Sequence, residues 1–432
     1  MNKQKRTAIL IGLLLCMGAS TMMQTYFSSA LPAISSSFHS VSFYSWVHGS
    51  YILASSAVII LSSGLCQRFG NKKNFMIGSL LFGIGTLIAP FSNSMLQLVI
   101  ARIVMGIGAG VVVPATYGII GEHFEKKKYS SVFAAFAVVQ IVFNGLGSLA
   151  GGYLPRIASW QTLFSILIPL ELLSFWLVFR NLPDRIPVMH SEPFHLLRQL
   201  LMMLAILLTA LGIEQAYHQQ YLLLILSAAL LFFVVWTDTK GEHILSPKEF
   251  VTDPLLRNLC LQVFLLGAFY HVCLVYLPSL MQFSMGLSAD TSGNLLAVFV
   301  ALMGAGSMLG AVIKISERPA ILIGWLACLT GGFFMPFLFT LSVMLLGFGS
   351  GVLMSVLLGY TATRTQSHAS GVNSTAHLIR NFGGSIGTIL FQFSLRYPQK
   401  YYMGGVFILA VSGVIAASLS LRFKHIFNEP NV

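Results

Sequence analysis

Fourteen long apolar stretches fill most of this 432-residue chain, and they limit what it can fold into. A helix that crosses the roughly 30 Å hydrocarbon layer of a bilayer needs about 20 predominantly apolar residues. Only 9% of the residues are charged and the mean hydropathy is +0.80, which excludes an ordinary soluble domain. We therefore predict an all-α polytopic membrane protein with spans at 7–28, 45–65, 74–92, 95–120, 130–154, 161–180, 198–214, 220–237, 258–281, 292–313, 319–337, 338–360, 374–395 and 401–421.

The lysine and arginine residues fall almost entirely on one side of these spans. Of the 25, only Arg156, Arg396 and Lys400 fall on the other side, while Arg102 and Arg380 lie at or inside spans. Such an asymmetry places the basic loops in the cytoplasm. The net charge of +12 therefore reports orientation in the membrane, and no nucleic acid partner is expected. We predict a multi-pass protein of the plasma (inner) membrane with both termini cytoplasmic.

The beginning of the chain resembles a secretory signal peptide, because a basic head precedes an apolar stretch. That stretch is too long for a signal peptide and further spans follow it, so we predict an uncleaved first helix. The five cysteines are scattered and include no Cys-x-x-Cys pair. They support neither a disulfide framework nor a metal site, and we expect no cofactor and no metal.

The two halves of the chain repeat the same motifs in the same order. A Gly-x-Gly-x-Gly run begins at Gly106 in span 4 and again at Gly347 in span 12. Glycine-rich runs recur around Gly147 in span 5 and around Gly383 in span 13. Internal duplication around a central site is a transporter architecture, so the repeat predicts a duplicated transporter fold.

The repeat divides the chain into three predicted parts. Residues 1–181 form one six-helix bundle, residues 182–256 form a linker that carries two extra transmembrane helices, and residues 257–432 form a second six-helix bundle. Because lipid gives no hydrophobic drive between helices, glycine stripes indicate close helix contacts. Both static packing and helices that slide or rock explain such stripes.

Several motifs carry a resemblance to a known family. They are the loop 63–73, Arg102 with the glycines that follow it, the run 147–152, and the segments 30–34 and 380–384. Together they resemble the major facilitator superfamily, and specifically its fourteen-span drug/proton antiporter branch. The resemblance implies the major-facilitator fold, two six-helix bundles with two inserted central helices. It also implies a gating role, with topogenic charge and packing as alternatives, for Gly64, Arg68, Gly70, Lys72, Lys73, Gly106, Gly147, Gly151 and Gly152.

The chain departs from the pattern of that branch at positions that carry its chemistry. The branch usually has an Asp in span 1, where this chain has Met23. Gln67 replaces the loop Asp, and Ser63 replaces the first glycine of the loop motif. Ser148 replaces the span 5 proline, and Gln161 replaces the Arg that usually follows the span 6 tryptophan. We expect the fold to survive these changes, which bear on coupling.

Ionisable side chains at membrane depth are costly and are therefore functional candidates. Arg102 lies in a span that lines the cavity in the family it resembles, although an arginine can also snorkel to the interface or be capped by backbone carbonyl groups. Glu171 lies near the middle of span 6, where low dielectric favours the neutral carboxyl group and suits a proton carrier; a lipid-facing or packing residue is the alternative. His271 is a candidate on span 9, with a hydrogen-bonded structural histidine as its alternative.

Other polar residues line the predicted substrate and proton pathway. They are Gln24, Thr25, Gln140, Asn144, Tyr276, Gln282 and Arg380. Abundant Phe, Tyr and Met suit an adaptable apolar pocket, although ordinary packing explains any single aromatic residue. Cationic drug pumps hold their substrates with buried acids. Met23 together with Arg102 therefore predicts a preference for neutral, zwitterionic or anionic amphiphiles over multivalent cations.

We predict a secondary transporter that exports small amphipathic compounds by alternating access, with proton antiport. The chain has no Gly-x-x-x-x-Gly-Lys-Ser/Thr motif and no cluster of nucleophile, base and metal ligands, so we do not expect an enzyme. Two alternatives stay open: a facilitator or importer of a specific metabolite in the same fold, and a non-transporting sensor derived from a transporter. We expect a monomer whose partners are a small-molecule substrate, protons and the lipid bilayer.

Overall fold

Long α-helices make up most of the structure. The computed structural model describes residues 3–39, 43–124, 129–183, 196–216, 220–240, 253–312, 317–364 and 369–392, and parts of 408–418. The helices are α1 (Lys3–Ser37), α2 (Tyr44–Phe69), α3 (Asn71–Ile88), α4 (Met95–His123), α5 (Tyr129–Ile157), α6 (Thr162–Asn181), α7 (Leu196–Ala216), α8 (Leu222–Lys240), α9 (Pro254–Ser279), α10 (Ala289–Val312), α11 (Glu317–Phe334), α12 (Phe339–Arg364) and α13 (Ala369–Gln392). The described residues contain no β-strand.

These helices overlap the first thirteen predicted spans. Within the described ranges, seven helical stretches are long and apolar enough to cross a membrane: Gln4–Ser37, Asn71–Phe91, Met95–His123, Thr162–Asn181, Pro254–Ser284, Ala289–Gly310 and Phe339–Leu357. Helices satisfy all their backbone groups internally, as hydrocarbon requires. The all-helical membrane fold is therefore confirmed, whereas the count of fourteen stays a prediction. The fourteenth span, 401–421, lies mostly outside the described residues.

The first helix is longer than its predicted span. α1 continues to Ser37, although the apolar stretch was expected to end at 28, and it runs through Pro32. The hydroxyl groups of Ser35 and Ser36 both donate to the Pro32 carbonyl oxygen at 2.9 Å. These serines bond within the helix, so a loss of apolar character at this point does not end it. We call the end of the structure where α1 and α5 finish the distal end.

The helices expose apolar side chains and bury polar ones. Large exposed apolar residues follow α3 and α6 at helical spacing: Ile77, Leu80, Ile84 and Leu87, then Ile166, Leu172, Leu173 and Trp176. Buried polar side chains include Thr25, Thr86, Arg102, Ser148 and Glu171. A lipid-facing surface explains the first set, and contact between helices explains the second.

The chain divides into two compact units. The first comprises Met1–Val234 and Leu274–Ala297, and the second comprises Val235–Cys273 and Val298–Val432. In the first unit α2 packs along α4, α1 along α5 and α6, α3 along α4 and α6, and α7 against α2. In the second unit α11 and α13 pack against α12. The three-part division at 181 and 256 stays a prediction.

Glycines of α4 and α12 make equivalent crossings in the two units. A Cβ at Gly106 or Gly110 would lie within 3.0 Å of a backbone carbonyl oxygen of α2. A Cβ at Gly347 or Gly351 would lie within 3.0 Å of a backbone carbonyl oxygen of α10. α2 and α10 are the second helices of the two predicted halves, so the same crossing occurs at corresponding places.

A second pair of crossings follows the same rule. A Cβ at Gly147 or Gly151 would meet the backbone of α1 within 3.0 Å, and one at Gly383 or Gly387 would meet the backbone of α9 at the same range. α1 and α9 are the first helices of the two predicted halves. Matching order along the chain and matching contacts in space support the internal repeat inferred from the sequence.

Candidate transport site

Arg102 is wholly enclosed in the first unit. Its side chain on α4 has 0% exposure, and its Nε donates to the Val47 carbonyl oxygen of α2 at 3.0 Å. The guanidinium Cζ lies 4.4 Å from the ring centroid of Phe27 on α1 and 4.2 Å from that of Tyr51 on α2. Within the part of the chain that the structure describes, Nη1 and Nη2 have no hydrogen-bond partner. Arg102 therefore does not snorkel to an interface.

Polar and apolar residues of α1 surround this arginine. The side chains of Gln24 and Ser20 interact with the Tyr51 hydroxyl group. Met23 has 0% exposure and belongs to the same apolar cluster as Phe27 and Tyr51. The position that usually carries an Asp in the branch therefore lies, without a charge, in the apolar cluster that includes the two rings next to Arg102.

Glu171 lies in a separate place, where α6 meets α1 and α3. Its side chain is 5% exposed, and the hydroxyl group of Thr86 on α3 donates to its Oε1 at 3.1 Å. Its Oε2 has no hydrogen-bond partner among the described residues and lies 3.5 Å from where a Cβ of Gly83 would be. The thiol of Cys16 on α1 is close enough to interact electrostatically with the carboxyl group. The lipid-facing alternative for Glu171 is thus wrong.

His271 and Arg380 lie together in the second unit. The His271 side chain is 3% exposed, and its Nδ1 lies 2.9 Å from the Gly267 carbonyl oxygen one turn earlier. Gly384 of α13 packs so close to this imidazole that a Cβ there would overlap it. The half-buried Arg380 interacts electrostatically with His271 and Tyr270. This arrangement fits the structural histidine and leaves the pathway role a prediction.

The remaining pathway candidates are buried or half-buried within the helix bundles. Thr25 is fully buried where Gly147 crosses α1, and Tyr276 of α9 is 1% exposed. Asn144 is buried on α5, whereas Gln140 is half-buried. The structure places these residues within the helix bundles, and their role in a pathway stays a prediction.

The loop between α2 and α3 is held by polar contacts. Gly70 has a φ of +85°, a conformation that favours glycine, where α2 ends and α3 begins. The Asn71 amide donates to the Glu122 carboxylate at the end of α4 at 2.6 Å. Gly64 and the basic side chains of the loop are exposed or half-buried: Arg68, Lys72 and Lys73. The gating role assigned to this loop stays a prediction.

One face of α5 is joined to the start of α10 at the distal end. The Ser148 hydroxyl donates to the Gly293 carbonyl oxygen at 2.9 Å, and a Cβ at Gly152 would lie 3.1 Å from the Gly293 Cα. Arg156 forms an ion pair with Asp290. Ser148, Gly152 and Arg156 are spaced by four residues and so share one helix face. We call this set of five residues the α5–α10 clasp.

Residues near the end of α1 and at the start of α2 also make contacts at the distal end. A π-helical turn, Leu280–Ser284, follows α9 and carries Gln282, whose Nε2 donates to the Ser29 carbonyl oxygen of α1 at 3.2 Å. The hydroxyl groups of Tyr44 and Ser279 are hydrogen-bonded. The distal end of the first unit is therefore closed by contacts from α9 and α10.

Comparison with known families decides what this bundle is. The sequence profile of the Major Facilitator Superfamily matches residues 13–388. The chain belongs to the Major Facilitator Superfamily.

Individual members of the superfamily resemble the chain over most of its length. Multidrug transporter protein MdtP of Bacillus subtilis is 23% identical over 407 residues, which cover 89% of this chain and 74% of that protein. Multidrug resistance protein 3 of the same organism is 25% identical over 400 residues, with coverage of 89% and 78%. The crystal structure of an auto-inhibited peptide transporter of the POT family aligns with a TM-score of 0.72 at 15% identity, and covers 100% of this chain and 98% of that one.

Some contacts of this superfamily member were not expected from its sequence. The run 147–152 has two faces: Gly147 and Gly151 contact α1, whereas Ser148 and Gly152 contact α10. Asp290 was not a candidate, although an acid at the start of a span opposite Arg156 is the available signal. Neither Phe27 nor Tyr51 was expected to contact Arg102, because nothing in a sequence says which rings face an arginine on another helix.

Proposed function

We propose that this superfamily member exports small amphipathic compounds by alternating access, in antiport with protons. Its similarity along 89% of the chain to two proteins named for multidrug transport or resistance carries the export proposal. We place it in the fourteen-span antiporter branch and in the plasma membrane, with both termini cytoplasmic. The distal end then faces outward.

The closed distal end supports alternating access. Export requires a state that opens outward, so the α5–α10 clasp and the Gln282–Ser29 contact must break during each cycle. These contacts are weak enough to break in every cycle. The ion pair is formed by an exposed arginine and contributes about 0–1 kcal/mol, and the Ser148 hydrogen bond contributes about 1 kcal/mol. A substrate that binds the two states differently can shift such an equilibrium.

Glu171 is the proposed proton carrier. Its enclosure by α1, α3 and α6 disfavours the charged carboxylate, and no partner in the described part of the chain hydrogen-bonds its Oε2 to stabilise that charge. A proton bound to the carboxylate removes the charge, and so offsets both its burial and its missing hydrogen-bond partner. Since Arg102 lies between α1, α2 and α4, the proton and the substrate would occupy different places in the first unit.

Everted membrane vesicles test the export proposal. Vesicles that contain the protein are expected to accumulate a naphthyl-bearing amide when they are energised, and to release it when an uncoupler is added. Vesicles that lack the protein serve as the control. Accumulation that persists with the uncoupler but needs ATP would contradict proton-driven export.

Weakening the clasp is expected to favour the outward-open state. In a variant without the five native cysteines, the double substitution Ser148→Ala and Arg156→Asp removes the Ser148 hydrogen bond and replaces the Arg156–Asp290 ion pair by two facing acids. A loss of about 1 kcal/mol shifts the equilibrium about fivefold. The rate at which a membrane-impermeant maleimide labels a cysteine at the buried position Ser29 should rise accordingly.

Two controls accompany the clasp experiment. Adding Asp290→Arg to the double variant restores opposite charges and should slow the labelling again. A cysteine at the exposed position Asn93 should react at the same rate in every variant. Labelling at position 29 that is indifferent to the clasp would show that these contacts do not close the distal end.

An uncoupled facilitator is the second candidate. Met23 occupies the position where the branch usually has an Asp, and its side chain is wholly buried and apolar. A facilitator would equilibrate the amide across the vesicle membrane without accumulating it. The same vesicle experiment therefore separates the two candidates.

A further inference from the structure

Arg102 combines complete burial with the absence of a counter-charge. Its side chain has 0% exposure, and it forms no ion pair with a carboxylate of the described residues. Nε donates to the Val47 carbonyl oxygen, while Nη1 and Nη2 have no acceptor among the residues that the structure describes. An enclosed guanidinium with a free edge costs free energy, and an acceptor bound at that edge would offset the cost.

The surroundings of the free edge define what fits. The rings of Phe27 and Tyr51 offset part of the charge through their π-faces, but they accept no strong hydrogen bond. Met23 adds to the same apolar cluster. Two adjacent Nη groups form a planar fork that matches a carboxylate, sulfonate or phosphate group. An oxyanion on an apolar body satisfies both the fork and the cluster.

We infer that Arg102 anchors the oxyanion of an amphipathic substrate. The inference rests on the proposed export function and specifies its substrate class: aromatic or aliphatic compounds that carry one carboxylate, sulfonate or phosphate group. In the described conformation the guanidinium is enclosed. α2 and α4 cross closely, so the ligand would reach the guanidinium when α1 moves away from α4.

Direct binding tests this inference without any proton gradient. The purified full chain is placed in nanodiscs of phosphatidylcholine, which supply no anionic lipid. Three tritiated probes of matched size are compared: naphthylbutanoate, its primary amide and the corresponding amine. The wild-type protein is expected to bind the acid about tenfold more tightly than either other probe.

Substitutions at the arginine give the decisive contrast. Arg102→Gln is expected to remove the preference for the acid while the amide still binds, which shows that the protein is folded. Arg102→Lys should keep part of the preference, because a single ammonium group replaces the fork. Arg180→Gln is the matched control, since Arg180 is exposed and contacts the Trp176 ring at 5.5 Å. It should leave all three affinities unchanged.

A second variant tests the two Nη groups of Arg102 without replacing the arginine. Met23 lies one turn before Phe27 on α1, so Met23→Asp sets an acid on the helix face that contacts Arg102. This internal counter-charge is expected to abolish the preference for the acid and to favour the amine.

Three outcomes would overturn the inference. They are equal binding of the three probes by the wild-type protein, no binding of the acid, and an acid preference that persists in Arg102→Gln. Displacement of the acid by added phosphatidylglycerol would instead identify a lipid headgroup as the occupant. A protein that passes these binding tests but transports no probe would refute the export proposal alone.

Discussion

Gly147→Ala is expected to destabilise the purified protein by about 1–3 kcal/mol, the usual cost of inserting a methyl group into a packed core. The added Cβ would overlap the Met22 carbonyl oxygen and the Thr25 hydroxyl group of α1. A backbone atom cannot rotate away, so the two helices must separate. The change is measured as a lower midpoint of thermal unfolding in detergent, followed by the loss of the monodisperse chromatographic peak.

Gly145→Ala is the matched control on the same helix. A Cβ at Gly145 would have no neighbour within 4 Å, and alanine favours a helix over glycine by about 1 kcal/mol. This variant should be at least as stable as the wild-type protein. If the two variants lost stability equally, the close crossing of α1 and α5 would be contradicted, and with it the packing that defines the repeat.

Glu171→Gln is expected to abolish proton-driven accumulation of substrate while exchange of substrate across the membrane continues. The amide has nearly the shape of the protonated carboxyl group and still accepts from Thr86 Oγ1, so the packing of α3 and α6 should persist. It cannot release a proton. We expect the accumulation ratio in energised proteoliposomes to fall by about tenfold or more, as befits the loss of a proton-transfer group.

Asp253→Asn serves as the control for this substitution. Asp253 also loses its charge in this variant, but its side-chain oxygen still caps α9 by accepting from the Leu255 amide. Accumulation should be unaffected. An undiminished ratio in Glu171→Gln would show that Glu171 is a packing residue and would move the proton site elsewhere.

The sequence was sufficient to predict the helices. Long apolar runs leave little choice of structure in a bilayer, so the first thirteen spans have helices where they were predicted. The glycine runs at 106 and 147 also predicted close contacts correctly. The sequence did not say which helix each glycine meets. That depends on helix rotation, and spacing along the chain carries no information about it.

The sequence also did not determine which way the Glu171 side chain points from α6. α6 is apolar nearly all round, so no polar stripe marks its inner side, and both an inward and a lipid-facing carboxyl group were consistent with the sequence. The structure turns Glu171 and Ser174 inward and Leu172 and Trp176 outward. Arg102 is a parallel case. Its burial was foreseeable from its place in a span, but its contacts with Phe27 and Tyr51 arise only when three helices meet.

Proton-coupled export is tested by recording substrate and proton movement simultaneously with the purified wild-type protein. Proteoliposomes that contain a trapped pH-sensitive dye are given a proton gradient and the naphthyl amide. We expect the amide to accumulate against its own gradient while protons move the opposite way, and both movements to stop when an ionophore collapses the proton gradient. Amide movement without any change in internal pH would contradict proton-coupled export.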